Sequence, residues 1–276
     1  MTQRPSSRPD GTITAIVADT PTTGNTASIV LELPPGLAGD GVAGRYVLAR
    51  CGAQTMDERA ENWQIYLRRP LYACGLRRSP GKDDGEWWEF LLPPGDDVGG
   101  RWLASLSAGA SVNLIGPLGG GYRLDSPSRN LLLLGNGRLH KTLTPLIDEM
   151  LDRGGRVTLL LAGDAVRHQP WIAQLPLPVE VRLVATTADW DRELNETLPW
   201  ADQLCAAIPE TELSRLAEAI RNKRFRLEPG FAQTLVEADL LCGVGACLAC
   251  AVARASGGYT RACVHGPVFD LTHLVR

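Results

Sequence analysis

The stretch Asn130-Leu131-Leu132-Leu133-Leu134-Gly135 divides the chain into two textures. An unbroken apolar run closed by glycine is what a strand buried on both faces of a parallel sheet requires. Downstream, residues 142–153 carry Leu143, Leu146, Ile147 and Met150 at helical spacing. Further buried-strand runs follow at 157–162, 179–185 and 203–208, and the last leads into an amphipathic helix at 210–222 with Leu213, Leu216 and Ile220 on one face. Strands alternating with helices predict a βαβ domain with a parallel sheet. Upstream the runs are short, β-rich and free of helical period: 13–18, 27–33, 45–50, 63–68, 86–92 and 111–115, with one weak helical stretch at 102–106. Turn-forming clusters such as Thr20-Pro-Thr-Thr-Gly-Asn25 separate them, which predicts a small closed barrel or sandwich. Trp87-Trp88 alternates across one of these strands, so one ring should enter the core and the other stay outside.

The composition is globular, with 44% hydrophobic and 21% charged residues in a chain of 276. Basic and acidic residues number 28 and 31, and a net charge of −3 gives no field for nucleic acid or an anionic membrane. No apolar run approaches the roughly 18 residues of a membrane span. The polar segment 1–12 has no apolar core of a secretory signal, so a cytoplasmic location and free thiols are expected.

Four of the seven cysteines fall in the last 35 residues, as Cys242-Gly-Val-Gly-Ala-Cys247-Leu-Ala-Cys250 and then Cys263. C-x4-C-x2-C followed by a distant fourth cysteine is the plant-type spacing for a [2Fe–2S] cluster. Three thiolates must converge from one loop, and Gly243 and Gly245 allow the backbone to curl and turn its N–H groups inward. Structural zinc, which commonly pairs two short knuckles, is the rival reading. Cys51, Cys74 and Cys205 have no partner spacing and read as buried packing thiols.

The chain resembles the electron-transfer subunit of dihydroorotate dehydrogenase, within the ferredoxin reductase-like flavoproteins. The resemblance rests on Arg261-Ala-Cys263-Val-His-Gly-Pro-Val-Phe269, Gly116-Pro-Leu-Gly-Gly-Gly-Tyr122, Leu67-Arg-Arg-Pro-Leu71 and Ala43-Gly-Arg-Tyr46. The last looks like the family's Pro-Gly-Gln-Phe turn. The resemblance implies a six-stranded antiparallel β-barrel of flavin-binding type at 1–126, a parallel-sheet α/β nucleotide-binding-like domain at 127–226, and a small [2Fe–2S] lobe at 227–276 with Cys242, Cys247, Cys250 and Cys263 as ligands. It implies FAD on the barrel, with Arg69 on the pyrophosphate, Pro70, Leu71 and Tyr72 along the flavin edge, and Gly99 and Gly100 at a Gly-Thr position. A guanidinium suits that role because its planar fork grips phosphate through two hydrogen bonds. Tyr72 stands where the family has serine, and His265 where it has aspartate; His265 is a candidate hydrogen-bond donor toward the cluster.

NAD binding is the open point. The family's Gly-Gly-Gly-Ile-Gly turn is replaced by Gly135-Asn-Gly-Arg-Leu-His-Lys141, and its Cys-Gly-Pro by Ala207-Ile-Pro209. Either Arg138 and Lys141 grip phosphate differently, or the pocket has lost the nucleotide. His140, beside a lysine at a helix start, reads as solvated. The implied partner is an FMN-containing catalytic dehydrogenase subunit in a heterotetramer, with the cluster loop facing it. The alternative is a degenerate, non-catalytic paralogue whose metal serves structure or assembly.

Overall fold

The computed structural model describes residues 4–20, 22–23, 26–39, 41–52, 63–78, 85–163 and 170–276. Pro21, Gly24 and Asn25 of the first turn lie outside the described residues.

Six strands close the N-terminal barrel: Thr12–Asp19, Ser111–Leu118, Tyr46–Ala49, Arg69–Arg78, Glu86–Leu91 and Thr26–Leu33, the last pairing back onto the first. Every pairing is antiparallel, and closure leaves no open edge in the ring. The period-2 alternation sorts the side chains. Val47, Ala49, Leu71, Ala73, Trp88 and Phe90 fill the interior with Ile13, Ile29, Leu31 and Leu114. Trp88 is fully buried and stacks on Phe90 at 5.8 Å, while Trp87 is only half-buried, as the alternation required. The same alternation turns Tyr46, Leu48, Tyr72 and Cys74 outward, into a second core shared with the α/β domain. The expected strand at 63–68 is instead the one-turn helix Trp63–Tyr66, and the strand starts at Arg69. Aromatic and branched side chains suit strands, but one turn is too short for that preference to overrule tertiary context.

The second sheet has the order 179–184, 156–162, 130–136, 203–207, 232–235, 268–270; its first five strands are parallel and the last is antiparallel. The order reverses beside Asn130–Asn136, so the crevice at its carboxyl end is where such sheets bind ligands. Helix Thr187–Thr197 was not anticipated. Its signal was present: Thr186 is an N-cap whose hydroxyl accepts from the Asp189 amide and donates to the Asp189 carboxylate. Strands Ala232–Leu235 and Val268–Asp270 belong to this sheet, so the chain leaves it only between them to build the cysteine lobe. The lobe is pinned to the barrel where the two Gly-Pro segments meet, the Gly120 amide donating to the Gly266 carbonyl at 2.6 Å. No helix among the described residues is long and apolar enough to cross a membrane.

Candidate functional site

The cysteine loop is held by backbone that disfavours bulky residues. Gly243 and Gly245 have φ of 72° and 77°, and Leu248 takes a left-handed φ of 60°. A Cβ on Gly243 would stand 2.8 Å from Leu118 Cδ1, so the loop approaches the barrel as closely as glycine permits. The four thiols form two pairs. Cys242 and Cys247 sulfurs are 3.4 Å apart, and the two buried thiols of Cys250 and Cys263 act on one another. Among the described residues no three His, Cys, Asp or Glu side chains close on one point as a mononuclear ion demands. Two thiol pairs from one loop and one short helix fit a dinuclear cluster better than zinc. The backbone amides of Cys247 and Val244, with the Cys247 thiol and the Ala246 amide, bring the Cys242 thiol down to about 6. Burial, followed by the Cys250 thiol, pushes Cys263 up to about 11. The loop thus aims donors at one sulfur while sheltering another, a donor set suited to an anionic iron–sulfur centre. His265 is exposed, and its Nδ1 faces the Thr260 hydroxyl at 3.1 Å.

Beside this loop lies a cavity of about 520 Å³. Arg69, Pro70, Tyr72 and Asp97 form its barrel wall, and Leu240, Ala249, Ala251 and Val252 of the cysteine lobe form the other. Leu71 corrects the expectation for the flavin edge: strand alternation sends its side chain into the barrel core, fully buried. Gly100 lines an adjoining cavity of about 370 Å³ with Pro93, Pro94 and Arg138, and a Cβ on Gly99 would stand 2.9 Å from Arg69 Nε. The Tyr72 hydroxyl is buried with no hydrogen-bond partner among the described residues, and burial raises its phenol. Such an orphan on a cavity wall fits the polar edge of a flavin ring. The arginine expected to grip phosphate is already engaged. Arg69 Nε donates to both oxygens of Asp97, at 2.9 and 3.0 Å, and Asp97 also accepts from the Gly100 amide at 2.6 Å. A diphosphate entering here shares its arginine with a resident carboxylate. Sequence reading missed Asp97, although an aspartate just before a short helix is an ordinary capping signal.

The nucleotide-type turn is occupied from within. Arg138 is paired with Glu237 at 2.6 Å across a cavity of about 300 Å³ that Asn136, Gly137, Pro209 and Glu210 also line. Lys141 is 6% exposed and reaches Glu89 of the barrel at 3.3 Å. His140 is buried, not solvated: Nδ1 faces the Gly137 carbonyl at 2.8 Å and its ring stacks on Trp171. The extra residues form a 3-10 turn, Arg138–Leu143, that packs its side chains inward before the α-helix Thr144–Asp152 begins. Cys51, Cys74 and Cys205 are free, buried thiols, as expected; burial pushes Cys51 up to about 12.

Comparison with known proteins places these features. Residues 237–275 match the family described as the iron-sulfur cluster binding domain of dihydroorotate dehydrogenase B. The electron transfer subunit of dihydroorotate dehydrogenase B (NAD(+)) from Desulforamulus reducens is 27% identical over 254 residues, covering 87% of this chain and 89% of the relative. The corresponding subunit of Geobacillus thermodenitrificans is 28% identical over 227 residues, or 78% and 83% of the two chains. The solved structure of an NADH-dependent reduced ferredoxin-NADP oxidoreductase superposes with a TM-score of 0.70 at 15% identity, over 94% of this chain and 89% of that one. The chain therefore has the ferredoxin reductase-like fold, carries the iron–sulfur binding domain of dihydroorotate dehydrogenase B at its C-terminal end, and resembles the electron-transfer subunits of that enzyme over most of its length.

Proposed function

We propose that the chain is an electron-transfer subunit holding a [2Fe–2S] cluster on Cys242, Cys247, Cys250 and Cys263 and FAD in the cavity between Tyr72 and the cysteine lobe. One observation carries the reading: Ala249 and Ala251, which flank Cys250, line the same cavity as Arg69, Pro70 and Tyr72. A flavin bound there shares a wall with the cluster loop, the close approach that electron transfer needs. When bound, the cluster supplies one-electron transfer, and the flavin links one-electron to two-electron chemistry. The protein's own part is to position both groups. The barrel, the α/β domain and the cysteine lobe between Leu235 and Val268 meet around that cavity.

The electron donor in this reading is an FMN-containing catalytic subunit of dihydroorotate dehydrogenase type, joined in a heterotetramer and serving pyrimidine biosynthesis in the cytoplasm. The cluster loop offers an apolar rim for it, with Leu241, Val244, Leu248 and Val264 all exposed. The acceptor is NAD or another carrier. The Arg138–Glu237 and Lys141–Glu89 pairs favour the second reading for that step, a chain whose nucleotide function has degenerated. Anaerobic purification with a visible spectrum and assays for iron, sulfide and flavin tests the proposal. Two irons and one FAD per chain are expected; zinc without flavin would sink it. Reduction of the same sample by NADH decides between the two acceptor readings.

A further inference from the structure

Tyr46 is fully buried, yet its hydroxyl has no hydrogen-bond partner among the described residues. A buried donor left unbonded is a defect in a finished core, and natural interiors carry few. Strand alternation turns Tyr46 out of the barrel, next to the cross-strand ring of Tyr72 at 6.1 Å. Tyr72 faces the cavity, whereas Tyr46 faces the cysteine loop. Its hydroxyl oxygen lies 4.0 Å from where a Cβ on Gly243 would stand, and its ring packs in one core with Cys250, Ala262 and Cys263. Cys263, Cys250 and Cys242 all act on it electrostatically. Phenylalanine would fill the same space, so the hydroxyl does nothing for packing.

Resting on the reading of the four cysteines as cluster ligands, we propose that the Tyr46 hydroxyl is a hydrogen-bond donor to the sulfur of the [2Fe–2S] centre and raises its reduction potential. The sign follows from charge. Reduction adds an electron to an already anionic centre, and a donor aimed at its sulfur stabilises the more negative state. Arg261 Nη1 donates to the Gly245 carbonyl. The Nδ1 of His265 faces Thr260. Tyr46 is a positioning and tuning residue in this scheme; it exchanges no proton with a substrate.

The test is Tyr46→Phe in the anaerobically purified holoprotein, followed by redox titration with electron paramagnetic resonance and by deuterium double resonance after exchange into heavy water. Expected are an unchanged iron and sulfide content, loss of one exchangeable-proton coupling, and a reduction equilibrium shifted about tenfold toward the oxidised form, about 59 mV for a one-electron couple. Placing 3-fluorotyrosine at position 46, whose more acidic phenol is a stronger donor, moves the potential the opposite way without removing the side chain. This arm decides the matter where Tyr46→Phe does not retain its cluster. A potential and proton coupling indifferent to both changes would overturn the proposal alone. Wild-type protein without iron and sulfide would overturn it together with the cluster reading on which it rests.

Discussion

The cysteine loop and the 137–143 turn make an instructive pair. Both stand where a family resemblance places a bound group, and both depart from plain secondary structure. The cysteine loop keeps its bonding capacity open: four thiols free of disulfides, amides gathered on Cys242, and a Tyr46 hydroxyl with no partner among the described residues. The 137–143 turn has spent most of its capacity inside the chain. Arg138 is taken by Glu237, Lys141 by Glu89, and His140 Nδ1 by Gly137. A polypeptide leaves polar groups unsatisfied in its interior only where something else satisfies them. By that standard the first region has the open donors of a binding site; the second keeps one buried orphan, His140 Nε2, while its two cationic side chains have become architecture.

The harshest way to break this contrast is to remove a ligand from the open region. Cys263→Ala removes the sulfur donor and offers no atom in its place. Iron and sulfide should fall to background, with loss of the cluster's visible absorption. Retention of a full cluster would mean that Cys263 is a packing thiol and that the pairing with Cys250 is incidental.

The closed region is broken by Lys141→Met. The Lys141–Glu89 pair joins the turn to the barrel with side chains 7% and 27% exposed. Removing one partner of a buried pair strands the other, so stability should drop by about 2 kcal/mol, less than for a fully buried pair because Glu89 still meets solvent. Urea unfolding measures it, and adding Glu89→Gln should return part of the loss. If Lys141 were a phosphate grip instead, the variant would keep its stability and lose affinity for NADH.

How much of this was legible follows from how far apart the interacting residues are in the chain. The barrel and the parallel sheet declared themselves through local period, and the cysteine loop through the fixed spacing of Cys242, Cys247 and Cys250. The Thr186 N-cap was equally local and equally readable. Lys141–Glu89, Arg69–Asp97 and Tyr46 beside Gly243 join residues many positions apart, and nothing in a single sequence marks one lysine as the partner of one glutamate. The burial of His140 belongs to the same class, because it depends on Trp171 arriving from another segment. Leu71 is different: it was readable. In a strand that buries both faces, the neighbour of a cavity-facing Tyr72 must face the other way.

Asp97 sharpens the comparison from a region between the two extremes. It holds Arg69 and the Gly100 amide, so in the proposed flavin cavity the arginine assigned to phosphate is already engaged, whereas the Tyr72 hydroxyl is not. Asp97→Asn keeps a capping side chain but removes the competing charge. FAD should then bind about tenfold tighter, about 1.4 kcal/mol, with riboflavin, which lacks phosphate, unchanged. Fluorescence titration of flavin-stripped protein reads both. Equal gains for the two flavins would show a general loosening of the pocket, and a weaker FAD would make Asp97 part of the binding site.

The gentlest probe of the closed region is pH. Burial holds the His140 imidazole below its ordinary value, with the Lys141 ammonium adding to the effect and the Gly137 carbonyl opposing it. In the unfolded chain the same group titrates near 6.5. A group with a depressed native pKa binds its proton more readily when unfolded. Its contribution to stability is therefore complete above about pH 6.5 and is lost as pH falls through the native value. The slope from one proton is at most about 1.4 kcal/mol per pH unit. His140→Gln keeps a polar side chain near the Gly137 carbonyl and cannot titrate. Its unfolding free energy should run parallel to wild type above pH 7 and decline less steeply below 6.5. Parallel curves down to pH 5 would place the imidazole in contact with water, and the 137–143 turn would then be an open loop like the one at Cys242.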